Sequence, residues 1–169
     1  MRTPIRKSGK YTHLKPDPHI TEAKFSELKG KLERLIKFNR PRVAEEVKKL
    51  GEMGDFSENA AYSMAKGRLR GINQRIIELK NHLKNAVIIK LIKNTETVQL
   101  GHRVTIENAG KQKSYLILGS AESNPLKGII SHNSPIGSAL MGHKVGDKVK
   151  IQLINKRIEY RIIKIEPPS

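Results

Sequence analysis

Two carboxylates lie three residues apart within residues 54–59, a short segment rich in glycine and polar side chains. On one helical turn Asp55 and Glu58 would share a face, and carboxylate oxygens are the ligands that Mg²⁺ takes in proteins. Two carboxylates are too few for a tight site built from this chain alone, so a metal held here needs further ligands from a partner. The pair therefore excludes a self-sufficient metalloenzyme and leaves a shared cation site open.

The same spacing is typical of a helix N-terminus. Asp55 would act as the N-cap and accept a hydrogen bond from a backbone amide, while Glu58 at the third helical position would reach back in a capping box. Spacing alone does not discriminate between the cap and the metal site. A carboxylate that caps a helix can also offer an oxygen to a metal, so both interpretations stay open.

Basic residues surround this acidic segment. The candidates for phosphate contact are Lys48 and Lys49 before it and Lys66, Arg68, Arg70 and Arg75 after it. The chain holds 33 Lys and Arg against 16 Asp and Glu, a formal net charge of +17 at pH 7. Such an excess is typical of nucleic-acid-binding proteins, because cations that contact phosphates release counterions without reading sequence. We therefore predict phosphate contact by these six residues, with a solvated helix surface as the alternative.

The composition excludes several classes of protein. The sequence has no cysteine, which rules out a disulfide framework, a cysteine zinc site and a cysteine nucleophile. The six histidines show no metal-ligand spacing, and no glycine-rich phosphate loop is present. No apolar stretch follows the basic N-terminus as in a signal peptide, and none approaches the roughly 18 apolar residues that cross a membrane. We expect a cytoplasmic protein without membrane association.

Apolar spacing predicts two long helices that would position the acidic segment between them. The first apolar stripe consists of Phe25, Leu28, Leu32, Leu35, Val43, Val47 and Leu50, and the second of Ala65, Leu69, Ile72, Ile76, Leu79, Leu83 and Ala86. Thr21 is the expected N-cap of the first helix, which should kink or restart at Pro41. Neither stripe can be buried alone, so residues 20–93 are predicted to form an antiparallel coiled-coil hairpin with the acidic segment at its tip. About 30 to 35 helical residues in each arm would carry the tip on the order of 45 to 50 Å from the base.

The segments on either side of the hairpin have a different character. Residues 1–19 contain four helix-breaking Pro and Gly residues and little apolar surface, so we predict a flexible basic arm. In residues 94–169 strands are expected at 98–107, 114–118, 149–153 and 158–165, with turns at 108–110 and 155–157 and a short helix that begins near Ser134. The predicted fold class is α+β, with the hairpin followed by a small antiparallel-sheet domain.

Two separate motifs then give the chain a specific resemblance. The first is Gly-Asp-Phe-Ser-Glu-Asn-Ala-Ala-Tyr at residues 54–62, preceded by Arg-Pro at 40–41 and followed by the heptad helix. The second consists of Tyr-Leu-Ile-Leu-Gly-Ser at 115–120, Ile-Ser-His-Asn-Ser-Pro-Ile at 130–136 and Ala-Leu-Met-Gly-His-Lys-Val-Gly-Asp at 139–147. Over about residues 20–166 the chain resembles the bacterial Gre transcript-cleavage factors, GreA and GreB.

The resemblance implies a mechanism for the tip. A Gre factor is not itself an enzyme and holds no tightly bound cofactor; it is a monomer whose hairpin enters the secondary channel of RNA polymerase. There Asp55 and Glu58, with Ser57 and Asn59 as neighbours, would help the polymerase hold its second Mg²⁺ and the attacking water. The polymerase's own active site would then cleave the 3′ end of backtracked RNA. The resemblance also implies that the C-terminal domain is FKBP-like.

The resemblance assigns roles outside the tip as well. Lys66, Arg68 and Arg70 fall where the family's basic patch meets RNA, and the run at residues 66–70 favours GreB over GreA. The polymerase-docking loop, near the channel entrance, would consist of Asn133, Ser134, Pro135 and Ile136.

Two other functions remain open at this stage. The first is that of a regulator that occupies the polymerase channel and inhibits the enzyme without stimulating cleavage. The second is that of a general RNA- or DNA-binding protein with an ordinary capped hairpin. The acidic tip argues against the general binder, because the tip is where the hairpin would meet phosphates.

Overall fold

The computed structural model describes residues 17–52, 60–90, 94–152 and 157–167. The first arm of the hairpin is formed by α1 (Glu22–Arg34), a π-helical segment (Leu35–Asn39) and α2 (Arg40–Glu52). Thr21 caps α1 as predicted, since its Oγ accepts a hydrogen bond of 3.2 Å from the Lys24 amide. The arm is therefore helical from residue 22 to residue 52.

The predicted irregularity at Pro41 takes the form of the π-helical segment that comes just before it. Within this segment the backbone amide of Arg40 donates to the carbonyl of Leu35, five residues back. Proline lacks an amide hydrogen and crowds the preceding turn, and a wider π turn accommodates that crowding without ending the helix. The first arm therefore continues past Pro41 instead of breaking.

The second arm is α3 (Ala60–Lys84), and it runs antiparallel to the first. Near the base Leu28 and Leu79 share one apolar cluster, whereas closer to the tip Glu46 of α2 pairs with Arg68 of α3. The apolar stripes predicted from sequence face each other, with Val43 buried on the first arm. The hairpin prediction is confirmed for the residues that the structure describes.

The base of the hairpin includes residues that the sequence had placed in a flexible arm. His19–Ile20 forms a short strand, β1, which pairs in parallel with β2 (Val87–Ile88). Ile20 is fully buried against Leu28 and Leu79. The predicted arm over residues 1–19 is therefore wrong for residues 17–19, because burial of Ile20 and the β1–β2 hydrogen bonds order them. Residues 1–16 lie outside the described part of the chain.

The C-terminal half is a five-stranded sheet with strand order β5-β4-β3-β7-β6. Its strands are β3 (Arg103–Asn108), β4 (Lys111–Leu118), β5 (Ile129–Ser131), β6 (Lys148–Gln152) and β7 (Arg157–Glu166). The pairs β3–β4, β3–β7 and β6–β7 are antiparallel, as predicted. β5 joins β4 in parallel, so the sheet is mixed. The α+β class is confirmed, and the wholly antiparallel sheet is corrected at this edge.

Backbone turns explain the predicted β3–β4 hairpin and one difference between the predicted and the observed strand boundaries. Ala109 and Gly110 both have positive φ, 49° and 76°, which makes the tight β3–β4 turn predicted from the sequence. The strand expected from residue 98 begins only at Arg103, because Gly101 turns the chain with φ 93°. Residues 155–156 of the second predicted turn lie outside the described residues.

A single apolar core lies under the sheet and is covered by the short helix α4 (Pro135–Leu140). Its fully buried members include Val104, Ile106, Ile117, Leu140, Ile151 and Ile162. Within the ranges described, no helix combines the length and the apolar character needed to cross a membrane.

Candidate functional site

The two helices on either side of the predicted acidic tip are described by the structure. α2 ends at Glu52 and α3 begins at Ala60, so seven residues join the arms. The predicted tip residues Asp55, Ser57, Glu58 and Asn59 belong to this connection and lie outside the described residues. The shared metal site and the capping box therefore both stay predictions.

The four predicted basic residues of α3 are exposed, but they lie on two different flanks of the helix. With about 3.6 residues per turn, Lys66 and Arg70 lie four residues apart on one flank of the buried Ala65–Ile76 seam. Arg68 and Arg75 lie seven residues apart on the other flank. The single basic cluster expected from the sequence is therefore divided by the helix.

On the flank that carries Arg68 and Arg75, each arginine is paired with a carboxylate. Arg68 makes an ion pair with Glu46 of the opposite arm, and Arg75 Nη1 lies 3.2 Å from Glu78 Oε2. Both arginines line the groove between α2 and α3. Glu46 lies 22 residues before Arg68 in the sequence, and only the hairpin brings the two side chains together.

The other flank of α3 carries Lys66 and Arg70. Lys66 Nζ lies 5.0 Å from the centre of the Tyr62 ring, a cation–π contact. Neither Lys66 nor Arg70 has a described carboxylate within 4.0 Å, in contrast to Lys48, whose Nζ lies 4.0 Å from Glu52 Oε1. Lys49 lies on α2 and is exposed. The Lys66–Arg70 flank is thus the stronger candidate for binding phosphates.

The predicted docking loop connects β5 to α4 and divides into structural and exposed residues. Ser134 caps α4, since its Oγ accepts a hydrogen bond of 3.0 Å from the Gly137 amide. Ile136 packs against the apolar core of the sheet. Asn133 and Pro135 are exposed. The loop therefore exposes Asn133 and Pro135, while Ser134 and Ile136 are held by α4 and the core, and its docking role stays a prediction.

Gly137 explains why this loop sits so close to the sheet. A Cβ atom at this position would lie 2.1 Å from the backbone oxygen of Ser131, a distance at which the backbone would have to move. The close approach of α4 to β5 therefore requires glycine here.

Comparison with known proteins decides the family. The model described as "Transcription elongation factor, N-terminal" matches residues 19–88, and the model described as "Transcription elongation factor, GreA/GreB, C-term" matches residues 93–167. The chain belongs to the GreA/GreB family. It is 41% identical over 150 residues to transcription elongation factor GreA of Staphylococcus saprophyticus, covering 87% of this chain and 95% of the relative. GreA of Macrococcus caseolyticus is 38% identical over 149 residues, with 86% and 94% covered.

Among solved structures, the GreA/GreB-family chain is similar to GreA factor homolog 1 (Gfh1) of Thermus thermophilus. The identity is 30%, the TM-score is 0.40, and 87% of this chain and 97% of that chain are covered. The resemblance predicted from the two sequence motifs is confirmed by the family models. The predicted preference for GreB is not confirmed by the two relatives above, both of which are GreA factors.

The GreA/GreB-family chain also contains a cluster that sequence reasoning missed, at the junction of hairpin and sheet. Asp17 Oδ1 lies 2.9 Å from His19 Nδ1, and Asp17 Oδ2 lies 3.4 Å from His132 Nδ1. The two imidazole rings meet edge to face, with 5.3 Å between their centres. The residues come from opposite ends of the sequence, so no spacing rule finds them.

Hydrogen bonds hold the carboxylate of Asp17 in this cluster. Its side chain is only 4% exposed, and its Oδ2 accepts from the Ser120 amide at 2.7 Å and from the Ser120 hydroxyl at 3.0 Å. Burial would raise the pKa of Asp17, but the hydrogen bonds from Ser120 and His19 outweigh it and lower the pKa to about 2. Asp17 is therefore a buried anion at neutral pH.

A second contact fastens the same junction. The Thr21 amide and hydroxyl donate to the two carboxylate oxygens of Glu122, at 2.8 and 2.6 Å. The residue that caps α1 is thus held by the loop after β4. Through Thr21 and Asp17, the base of the hairpin is bonded to the C-terminal half.

Proposed function

We propose that this chain is a transcription elongation factor that binds RNA polymerase and inserts its hairpin into the secondary channel. There it stimulates the polymerase to cleave the 3′ end of backtracked RNA, which rescues arrested complexes. The observation that carries the proposal is the match of both GreA/GreB family models over residues 19–88 and 93–167. Such a factor acts where the polymerase works, in the cytoplasm of a bacterium.

In this proposal the hairpin supplies reach. At about 1.5 Å of rise per residue, the helical residues 22–52 extend about 46 Å and α3 extends about 38 Å. A pair of antiparallel arms of that length is narrow enough to enter a channel and stiff enough to keep its tip in place. The length of the described helices supports the proposed insertion.

The tip supplies charge to a metal site that belongs mainly to the polymerase. Asp55 and Glu58 would offer oxygen ligands to a Mg²⁺ ion that the polymerase also binds, with Ser57 and Asn59 beside them. A bound Mg²⁺ lowers the pKa of a coordinated water and stabilises the charge that develops on the cleaved phosphate. The factor holds no metal tightly by itself, since two carboxylates do not complete the coordination of Mg²⁺.

The described surfaces suit two further contacts. Lys66 and Arg70, on the flank without described ion pairs, would bind RNA phosphates near the tip. Arg68, Arg75 and Lys48 have carboxylate neighbours and would contribute less, because those carboxylates offset part of their charge. Asn133 and Pro135 would contact the polymerase from the α4 loop.

Removing Lys66 and Arg70, the two α3 cations without a described carboxylate partner, is expected to weaken the action of the factor on RNA in a salt-dependent way. In Lys66→Ala/Arg70→Ala, the concentration for half-maximal cleavage stimulation should rise, and its log–log dependence on salt should become shallower by about 1 to 2. The matched control is Arg68→Ala/Arg75→Ala, which removes the same charge from the paired flank and should change the slope by no more than about half as much. A larger change of the salt dependence in the control than in Lys66→Ala/Arg70→Ala would mean that Arg68 and Arg75 make the RNA contact instead.

The proposed function is tested by adding the wild-type chain to backtracked transcription complexes with labelled RNA. We expect short RNA fragments released from the 3′ end and resumed elongation of the shortened transcript. Inhibition of elongation without fragments would identify a channel-occupying regulator instead. Equal affinity for free nucleic acid and for polymerase would identify a general nucleic-acid-binding protein.

A further inference from the structure

We propose that Asp17, His19 and His132 form a binding site for a divalent transition-metal ion with the ligand preferences of Zn²⁺, at the junction of the hairpin and the sheet. One carboxylate oxygen and one ring nitrogen of each histidine lie within 4.8 Å of one another. Two imidazoles and one carboxylate are a ligand set that Zn²⁺ takes in proteins, with water in the fourth position. This site is separate from the tip, and the proposal does not depend on the function of the tip.

The observed distances are close to those a metal requires. With bonds of about 2.0 to 2.1 Å in a tetrahedron, ligand atoms lie about 3.3 Å apart. Asp17 Oδ1 lies 2.9 Å from His19 Nδ1, and the other carboxylate oxygen, Oδ2, lies 3.4 Å from His132 Nδ1. Bringing all three pairs to that separation requires shifts of no more than about 1.5 Å. The imidazole of His19 is partly exposed and has room for such a shift.

The surroundings of the cluster favour a metal over an accidental contact. The carboxylate of Asp17 is buried, and its two oxygens face the two imidazoles, one oxygen toward each ring. The amide and hydroxyl of Ser120 hold that carboxylate in position, and the Ser120 hydroxyl lies 2.8 Å from the hydroxyl of the buried Ser131. Such supporting hydrogen bonds orient ligands and tune the affinity of metal sites.

Metal binding would replace hydrogen bonds with coordination. His19 Nδ1 is within hydrogen-bond distance of Asp17, whereas His132 Nδ1 lies 3.4 Å from both Asp17 Oδ2 and the carbonyl oxygen of Leu118. For Nδ1 to bind the metal, the proton of each neutral imidazole must sit on Nε2. A bound ion would then join the β1 segment directly to the end of β5, across the junction that Thr21 and Glu122 also fasten.

The test is calorimetric titration of the full chain with ZnCl₂, in excess Mg²⁺ so that carboxylate sites selective for Mg²⁺ do not contribute. We expect one zinc ion whose affinity falls at least about tenfold in His132→Gln and in His19→Gln. His143→Gln is the matched control, because His143 Nδ1 lies 3.3 Å from Asp147 but has no second histidine beside it within the described residues. Its zinc affinity should equal that of the wild type.

A second measurement does not rely on variants that must fold. In ¹⁵N spectra of the wild-type imidazoles, the Nδ1 signals of His19 and His132 should shift together and saturate at one equivalent of zinc. The proposal is overturned if the wild type binds no zinc, or if these two signals stay unchanged while others shift. It is equally overturned if His132→Gln, shown to be folded by circular dichroism, binds zinc like the wild type.

Discussion

The double substitution Asp55→Asn/Glu58→Gln is expected to reduce stimulated RNA cleavage by about a hundredfold or more while polymerase binding is retained. The amides keep the shape of the two side chains but lose the negative charge that would hold the shared Mg²⁺. Removing one preorganised electrostatic contact from an active site typically costs about 10² to 10³ in rate. The measurement is the rate of 3′ fragment release from backtracked complexes at saturating factor.

The single variant Asp55→Asn separates the metal role from the capping role. Asparagine caps a helix about as well as aspartate, so a residue that only caps should tolerate this change. If Asp55 binds the metal, Asp55→Asn should remove most of the stimulation of RNA cleavage. Glu45→Gln/Glu52→Gln, which neutralises two exposed acids of α2, is the control for lost charge and should stimulate cleavage normally. Normal stimulation of cleavage by Asp55→Asn/Glu58→Gln would show that these two carboxylates take no part in the mechanism.

Replacing Ile162 by Ala is expected to lower the free energy of unfolding of the C-terminal half by about 3 kcal/mol. Ile162 is 0% exposed in β7, the strand that pairs with both β3 and β6, and it belongs to the apolar core. Deleting a buried isoleucine side chain to alanine costs about 2 to 5 kcal/mol, from lost burial and from the cavity left behind. Urea unfolding followed by circular dichroism measures the change.

The control for this prediction is Ile77→Ala. Ile77 lies on α3 and is 53% exposed, so the same deletion should cost less than about 1 kcal/mol. Equal losses in the two variants would mean that the core does not lie where the structure places it. A loss of cleavage stimulation in Ile77→Ala without a loss of stability would instead identify a contact with a partner.

Much of the fold was predictable because its signals are local. The Thr21 cap depends on a side chain and an amide three residues apart, and the β3–β4 turn on the two left-handed residues 109 and 110. The helical arms follow from apolar residues that recur every three or four positions. The irregularity before Pro41 was predictable for the same reason, although its π-helical form was not.

Other features depend on residues that only the folded chain brings together. Nothing in the sequence of α3 indicates that Glu46 neutralises Arg68, so the basic residues appeared as one cluster instead of two unequal flanks. β5 pairs with β4 in parallel, and this orientation depends on the path of the chain between the two strands. Ordered residues 17–19 were missed because their partners, Ser120, His132 and Val87, are about 70 to more than 100 residues away in the chain.

The two arms, the strand-rich second half and the family were predictable from residue type and short-range spacing, while the tip role of residues 54–59 stays a prediction. Only the folded chain shows which cations have a described carboxylate partner and which residues of the predicted docking loop are exposed. It also shows that Asp17, His19 and His132 meet at the junction of hairpin and sheet. The physical reason is that charge pairing and ligand geometry depend on distance in space, and distance along the chain does not determine it.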